Sequence, residues 1–167
     1  IVMNVPDGNT VSAAEHTVAM LLALSRNIQI GHSTLSNGIW DRHKLTGSEL
    51  RGKVLGVVGL GKIGREIIKR TSSFDMKIIG YDPYVSQEQF DEKELKVVTL
   101  DKLTVDSDYI TLHVPMNDAT KNLFDMERLQ RMKKTSRIIN VARGGIINEN
   151  DLAKALNNDF IAGAAID

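Results

Sequence analysis

The chain has 167 residues, with 21 basic and 21 acidic side chains, four histidines and no cysteine. That length suits one ordinary domain, and zero net charge argues against nucleic-acid or anionic-membrane partners, which call for a basic surface. Without cysteine there is no disulfide framework, thiolate metal site or cysteine nucleophile. No apolar run reaches the ~18 residues of a membrane span and no secretory signal is visible, so a cytosolic protein with a small-molecule partner is expected.

The first segments in chain order lie outside any regular alternation. Ile1–Val5 is apolar, as is the closing run Ile161–Ile166, and termini of this kind predict a piece of a longer protein. Ser12-Ala13-Ala14-Glu15 has the spacing of a capping box and predicts a helix from about Ala13 to Ile30, in which His16 reads as structural. Gly31 to Gly52 is glycine-rich and aperiodic, and it reads as an extended arm anchored by Trp40.

From Lys53 onward, short Val- and Ile-rich runs alternate with helix-favouring stretches. The predicted strands are Val54–Val58, Lys77–Tyr81, Lys96–Val98, Tyr109–Val114, Arg137–Val141 and Ile161–Ile166. Between them Lys62–Ser73, Ser86–Phe90, Leu100–Thr104, Asp125–Met132 and Glu149–Asn157 read as helical. Alternation of this kind implies right-handed βαβ units. The expected fold class is α/β, a Rossmann-type doubly wound parallel sheet of about six strands in three layers, preceded by the N-terminal helix and arm. The division expected is residues 1–52 for helix and arm and 53–167 for the core, within one domain.

Gly59-Leu60-Gly61-Lys62-Ile63-Gly64 follows the first core strand and opens a helix. Gly59 permits the tight turn, Gly61 lets backbone approach a pyrophosphate, and Gly64 lets helix and strand pack closely. The helix N-terminus adds free N–H donors and a favourable dipole. Asp82 closes the next strand, where a carboxylate accepts hydrogen bonds from ribose hydroxyls and repels a 2′-phosphate, which favours NAD over NADP. A turn residue before Pro83 is the competing reading of Asp82.

Ligands of open α/β sheets bind beyond the carboxyl ends of the strands. The residues there are His113-Val114-Pro115, Asn140-Val141-Ala142-Arg143-Gly144-Gly145 and Asp167. Arg143 is placed to grip a carboxylate bidentately, or else is a surface arginine in a turn. His113 reads as a satisfied core residue or as a base, and Asp167 as a cofactor contact or a turn cap. Arg128, Arg131, Lys133, Lys134 and Arg137 read as a solvated basic face.

GLGKIG at 59–64, YDP at 81–83, HVP at 113–115 and NVARGGIIN at 140–148 together resemble the D-isomer-specific 2-hydroxyacid dehydrogenases, over essentially the whole chain. The resemblance implies that Lys62 and Ile63 touch the pyrophosphate and Asp82 and Pro83 the adenosine. It places His113, Val114 and Pro115 along the adenine-side wall, and Val141, Ala142 and Arg143 at the nicotinamide. Asp167 would hold the carboxamide, and Arg143 would be the catalytic arginine that binds the carboxylate and carbonyl of a 2-keto acid. It further implies a proton-transferring histidine oriented by a glutamate, both beyond Asp167, and a substrate domain on both sides of this piece. His113 matches the wall motif and not that histidine. A homodimer through the nucleotide domain is implied as well, with no metal. Which 2-hydroxy acid is used stays open, and two rivals remain. One is a non-catalytic NAD-sensing module of the corepressor kind. The other is an S-adenosylmethionine-dependent methyltransferase, against which Gly64 and the Arg143-Gly-Gly turn speak.

Overall fold

A computed structural model describes Met3 and residues 8–167. The opening run Ile1–Val5 therefore lies, Met3 apart, outside the described residues. The elements are helices α1 (Thr10–Ser25) and α2 (Ile28–Ser36), then strand β1 (Val54–Val58), α3 (Lys62–Thr71), β2 (Lys77–Tyr81) and β3 (Lys96–Val97). They continue with α4 (Leu100–Asp106), β4 (Tyr109–Leu112), α5 (Met126–Arg131), β5 (Arg137–Asn140), α6 (Glu149–Asn157) and β6 (Gly163–Ile166). Short 3-10 turns lie at Arg42–Leu45, Ser72–Phe74 and Gln87–Gln89, the last in place of a longer helix over Ser86–Phe90.

The six strands form one sheet in the order β3-β2-β1-β4-β5-β6, and every neighbouring pair is parallel. Side chains alternate between its two faces, and both faces are buried, which is why the strands read as continuous apolar runs. Leu55, Val57, Tyr109 and Ile139 pack with Ala14 and Leu21 of α1 and Ile67 and Ile68 of α3. Val58, Ile110, Leu112 and Ile138 pack with Leu103 of α4, Leu129 of α5, and Leu152 and Ala155 of α6. The result is a three-layer sandwich whose strand order reverses between β1 and β4. Crossovers leave that point in opposite directions and open a crevice at the strands' carboxyl ends.

The N-terminal region departs from the expectation. One helix over Ala13–Ile30 is in fact two, because Asn27 sits in the left-handed region at φ 53°, a conformation asparagine tolerates better than most residues. The break is tertiary in origin. The Asn27 amide donates to the Thr46 carbonyl at 3.1 Å, and the Ser48 N–H donates to Ser25 O at 2.8 Å. The Ser12 capping box is not formed either. Asn9 is the cap residue, and the Ser12 hydroxyl donates back to its carbonyl at 3.0 Å from inside the helix. The supposed extended arm begins with α2, and Trp40, expected as its anchor, is 79% exposed.

The basic cluster differs from a merely solvated face. Arg128 donates to Leu123 O (2.9 Å) and Asp101 (2.9 Å) and lies over the Phe124 ring, tying α5 to α4. Arg131 donates to the same Asp101 carboxylate at 3.1 Å. Lys133 reaches Asp108 at 2.9 Å, whose other oxygen accepts from the Val54 N–H at 2.8 Å and so closes the lower ends of β1 and β4. Partial burial pushes the Asp108 carboxyl up, but the Val54 N–H and the Lys133 ammonium outweigh it and hold it below its ordinary value.

A depressed folded-state pKa stabilises the fold above the unfolded value and ceases to do so as pH falls through the folded one. Asp108→Ala should therefore cost about 1–3 kcal/mol at pH 7. Urea melts across pH should show that difference shrinking below about pH 4, as the wild-type carboxylate protonates.

Candidate functional site

The glycine turn sits at the crevice, and each glycine meets a separate demand. Gly59 has φ +95°, and a Cβ there would stand 2.4 Å from His113 O. A Cβ on Gly64 would stand 2.1 Å from Gly59 O. Both positions are closed to side chains by the protein's own backbone. Gly61 differs. Its φ of −71° suits any residue, and an added Cβ would meet nothing within 4 Å. Among the described residues nothing crowds a side chain at 61, whereas a ligand pressed against the backbone would.

Gly61 is also the cap residue of α3, and it offers no side-chain bond to the helix N–H groups. By contrast Thr99, Asp125 and Asn148 cap α4, α5 and α6 with side-chain acceptors. No acidic residue lies in the first turn of α3. An uncapped helix start with a bare backbone approach is fitted to the phosphates of a dinucleotide.

Beside this turn, Ile63, His113, Val114, Pro115, Val141, Ala142 and Arg143 line one open cleft of about 360 Å³. Asn9, Ala13 and Met116 complete its wall. These three were not anticipated. Met116 follows the HVP motif directly, but Asn9 and Ala13 arrive only because α1 packs beside α3, for which no local signal exists. A larger hollow of about 470 Å³ lies between α3 and residues 89–94, away from the strand ends. It is not this site.

Asp82 lies behind the turn. One carboxylate oxygen accepts from the Leu60 N–H (2.9 Å) and the other from the Tyr84 N–H (2.9 Å). Pro83, next to it, is exposed. Lys62 opens α3 with its side chain outward. Asp167 follows β6, its N–H bonded to Asn140 O at 3.1 Å, and its carboxylate lies 3.9 Å from Nε2 of His16. His16, read from the sequence as structural, is half exposed and faces that carboxylate. Neither Asp82 nor Asp167 lines the cleft among its described residues.

His113 is held by Thr111, with Nε2 and the Thr111 hydroxyl 2.7 Å apart. Burial pushes its pKa down to about 4, so the ring is neutral at physiological pH and a weak base. Arg143 is presented on a turn built by Asn140. The Asn140 side chain accepts from Ala142 N–H (3.0 Å) and donates to Arg143 O (2.9 Å). The guanidinium is exposed at the cleft mouth and donates to Ala142 O at 2.7 Å. Asn140 itself is buried, and its role as the builder of this turn was not read from the motif that contains it.

Fold, glycine turn and strand-end cleft together define a dinucleotide-binding domain of the Rossmann type. The family model "D-isomer specific 2-hydroxyacid dehydrogenase, NAD binding domain" matches residues 18–167. The chain belongs to that family and is its NAD-binding domain. D-3-phosphoglycerate dehydrogenase of Synechocystis sp. is 45% identical over 100% of this chain and 30% of its own length. The Methanocaldococcus jannaschii enzyme of the same name is 44% identical over 100% of this chain and 32% of its own. Among solved structures, an NAD-dependent formate dehydrogenase from Staphylococcus aureus in complex with NAD superposes with a TM-score of 0.91. It is 41% identical over 98% of this chain and 50% of that one. The chain thus spans about a third of the curated relatives it matches.

The glycines separate binding from folding. Gly61→Ala should cost no more than ~1 kcal/mol of stability yet weaken NAD binding at least ~10-fold, since the methyl stands where the phosphates approach. Gly64→Ala should cost about 1–3 kcal/mol or more, because its methyl collides with backbone. Thermal melts and calorimetric titration of the two variants read the difference directly.

Proposed function

We propose that this chain is the NAD-binding part of a D-3-phosphoglycerate dehydrogenase, which moves hydride between C2 of a phosphorylated 2-hydroxy acid and NAD. The observation that carries the reading is Gly61, the exposed cap of α3 at which an added Cβ would meet no described residue within 4 Å, together with the neighbouring cleft whose wall carries Arg143. The names of the relatives at 44–45% identity favour the phosphorylated substrate over other 2-hydroxy acids.

The backbone N–H groups of Lys62 and Ile63 hold the pyrophosphate at the start of α3. Asp82 accepts from the adenosine ribose and excludes a 2′-phosphate, with Pro83 against the adenosine. His113, Val114 and Pro115 form the adenine-side wall, Val141 and Ala142 flank the nicotinamide, and Asp167 holds its carboxamide. The bound dinucleotide supplies the hydride acceptor. Arg143 grips the substrate carboxylate and orients C2, a charged hydrogen bond contributing about 1.5–3 kcal/mol.

Proton transfer falls to residues other than this chain's histidines. His113 is neutral and bonded to Thr111, His16 faces Asp167, and His32 and His43 are exposed on α2 and the following turn. None pairs with a glutamate among the described residues. The substrate domain and that acid–base pair belong to the parts of the longer relatives that this chain does not span.

The chain should therefore bind NAD and turn nothing over, with NADP at least ~100-fold weaker, and Asp82→Ala should weaken NAD about tenfold. Calorimetry with the two cofactors and an absorbance assay at 340 nm with 3-phosphoglycerate check this. Turnover by these residues alone, or equal affinity for NADP, would refute the reading.

A homodimer through α2 and the turn after it is also proposed. Ile28, Ile30, Leu35, Ile39 and Trp40 are each more than half exposed, an apolar patch of the kind that marks an interface. Sedimentation should give twice the chain mass, reduced to one chain by Trp40→Asp with Ile39→Asp. A cytosolic location agrees with the described helices, none of which is long and apolar enough to cross a membrane.

A further inference from the structure

We infer that Arg65 is the positioning residue of the dinucleotide turn, fixing the Leu60 peptide so that the Gly61 N–H faces the cofactor's pyrophosphate. Arg65 lies one turn into α3 and touches the turn twice. Its backbone N–H donates to Gly61 O at 3.0 Å, and its Nε–H donates to Leu60 O at 3.1 Å. In a trans peptide the C=O and the following N–H point in opposite directions. Drawing the Leu60 carbonyl toward Arg65 therefore turns the Gly61 N–H the other way. Drawing the Gly61 carbonyl into the helix does the same for the Lys62 N–H.

The guanidinium is itself held from outside. Nη2 donates to Gln89 Oε1 at 3.2 Å, and Cζ lies 4.3 Å from the Phe90 ring centroid. That loop is fixed in turn by Gln87, whose side chain donates to Leu95 O (3.0 Å) and accepts from the Val97 N–H (2.7 Å) at β3. A chain of contacts thus runs from the edge strand, through Gln87, Gln89 and Phe90, to Arg65 and the turn. Meanwhile Asp82 holds the Leu60 N–H from the opposite side. Leu60 is thus held at both of its backbone polar atoms, its N–H by Asp82 and its C=O by Arg65, before any ligand arrives, which is preorganisation of the turn that carries the donors.

The inference rests on NAD binding at this turn, but it also predicts a property of the free chain. In Arg65→Ala, hydrogen exchange of the Leu60 amide should quicken about tenfold while that of Val57 stays unchanged, and NAD should bind about tenfold more weakly. Arg65→Lys keeps the charge but lacks the planar fork, so it should behave like the alanine variant. Gln89→Ala, which removes only the outer anchor, should shift Leu60 exchange and NAD affinity in the same direction by a smaller factor. Unchanged Leu60 exchange in Arg65→Ala would overturn the inference, whether or not NAD affinity falls. So would NAD affinity within twofold of wild type, or full recovery by lysine, which would show that charge and not geometry matters.

Discussion

Three backbone segments meet at Gly59 with no room for a side chain, and the rest of the site depends on that meeting. Gly59 N–H bonds to Tyr81 O at 2.8 Å and His113 N–H to Val58 O at 2.7 Å, joining the carboxyl ends of β1, β2 and β4. The close fit of Gly59 to His113 and of Gly64 to Gly59 seats the first turn of α3 against those ends. The helix start then has one position available, at the reversal of strand order, with Gly61 as a cap residue that carries no side chain. The cleft beside it follows, because the residues leaving β4 and β5 must pass the same point.

The core was legible because its signal is local and redundant. A strand buried on both faces must be apolar throughout, and the five core strands from β1 to β5 begin where the Val- and Ile-rich runs begin. β6 is the exception: it starts at Gly163 and not Ile161, where Gly163 instead fits beneath Leu24 of α1. The N-terminal region was less legible because long-range contacts decide it. Ser12 and Glu15 satisfy a local rule that the chain does not use. The helix ends where residues 46–48 return to its last turn, with Gly47 so close to Ser25 and Arg26 that a side chain would collide. No window of neighbouring residues contains that information.

The same distinction runs through the site. Asp82 and Asp167 follow strands but are not among the described lining residues of the cleft, whereas the residues after β4 and β5 were legible as its lining because topology puts them there. Asn9 and Ala13 were not, since their place depends on how α1 lies across the sheet. Asn140 was in view, but its task needed geometry. A buried amide must bond both its oxygen and its nitrogen, and bonding them to Ala142 and Arg143 is what shapes the turn.

Charge is arranged so that the cleft holds little of it. The basic residues that sequence grouped together are mostly engaged between elements, Arg128 and Arg131 on Asp101 and Lys133 on Asp108. Phosphates can be met by backbone donors instead, which is compatible with zero net charge. Within the cleft wall His113 is neutral, leaving Arg143 as the charged group among the described lining residues. A lone guanidinium beside apolar walls is an electrostatic landmark that a single anionic group can match, and a second cation there would blur it. The burial that keeps His113 neutral and the Asn140 turn that displays Arg143 therefore act together to leave one charge at the cleft.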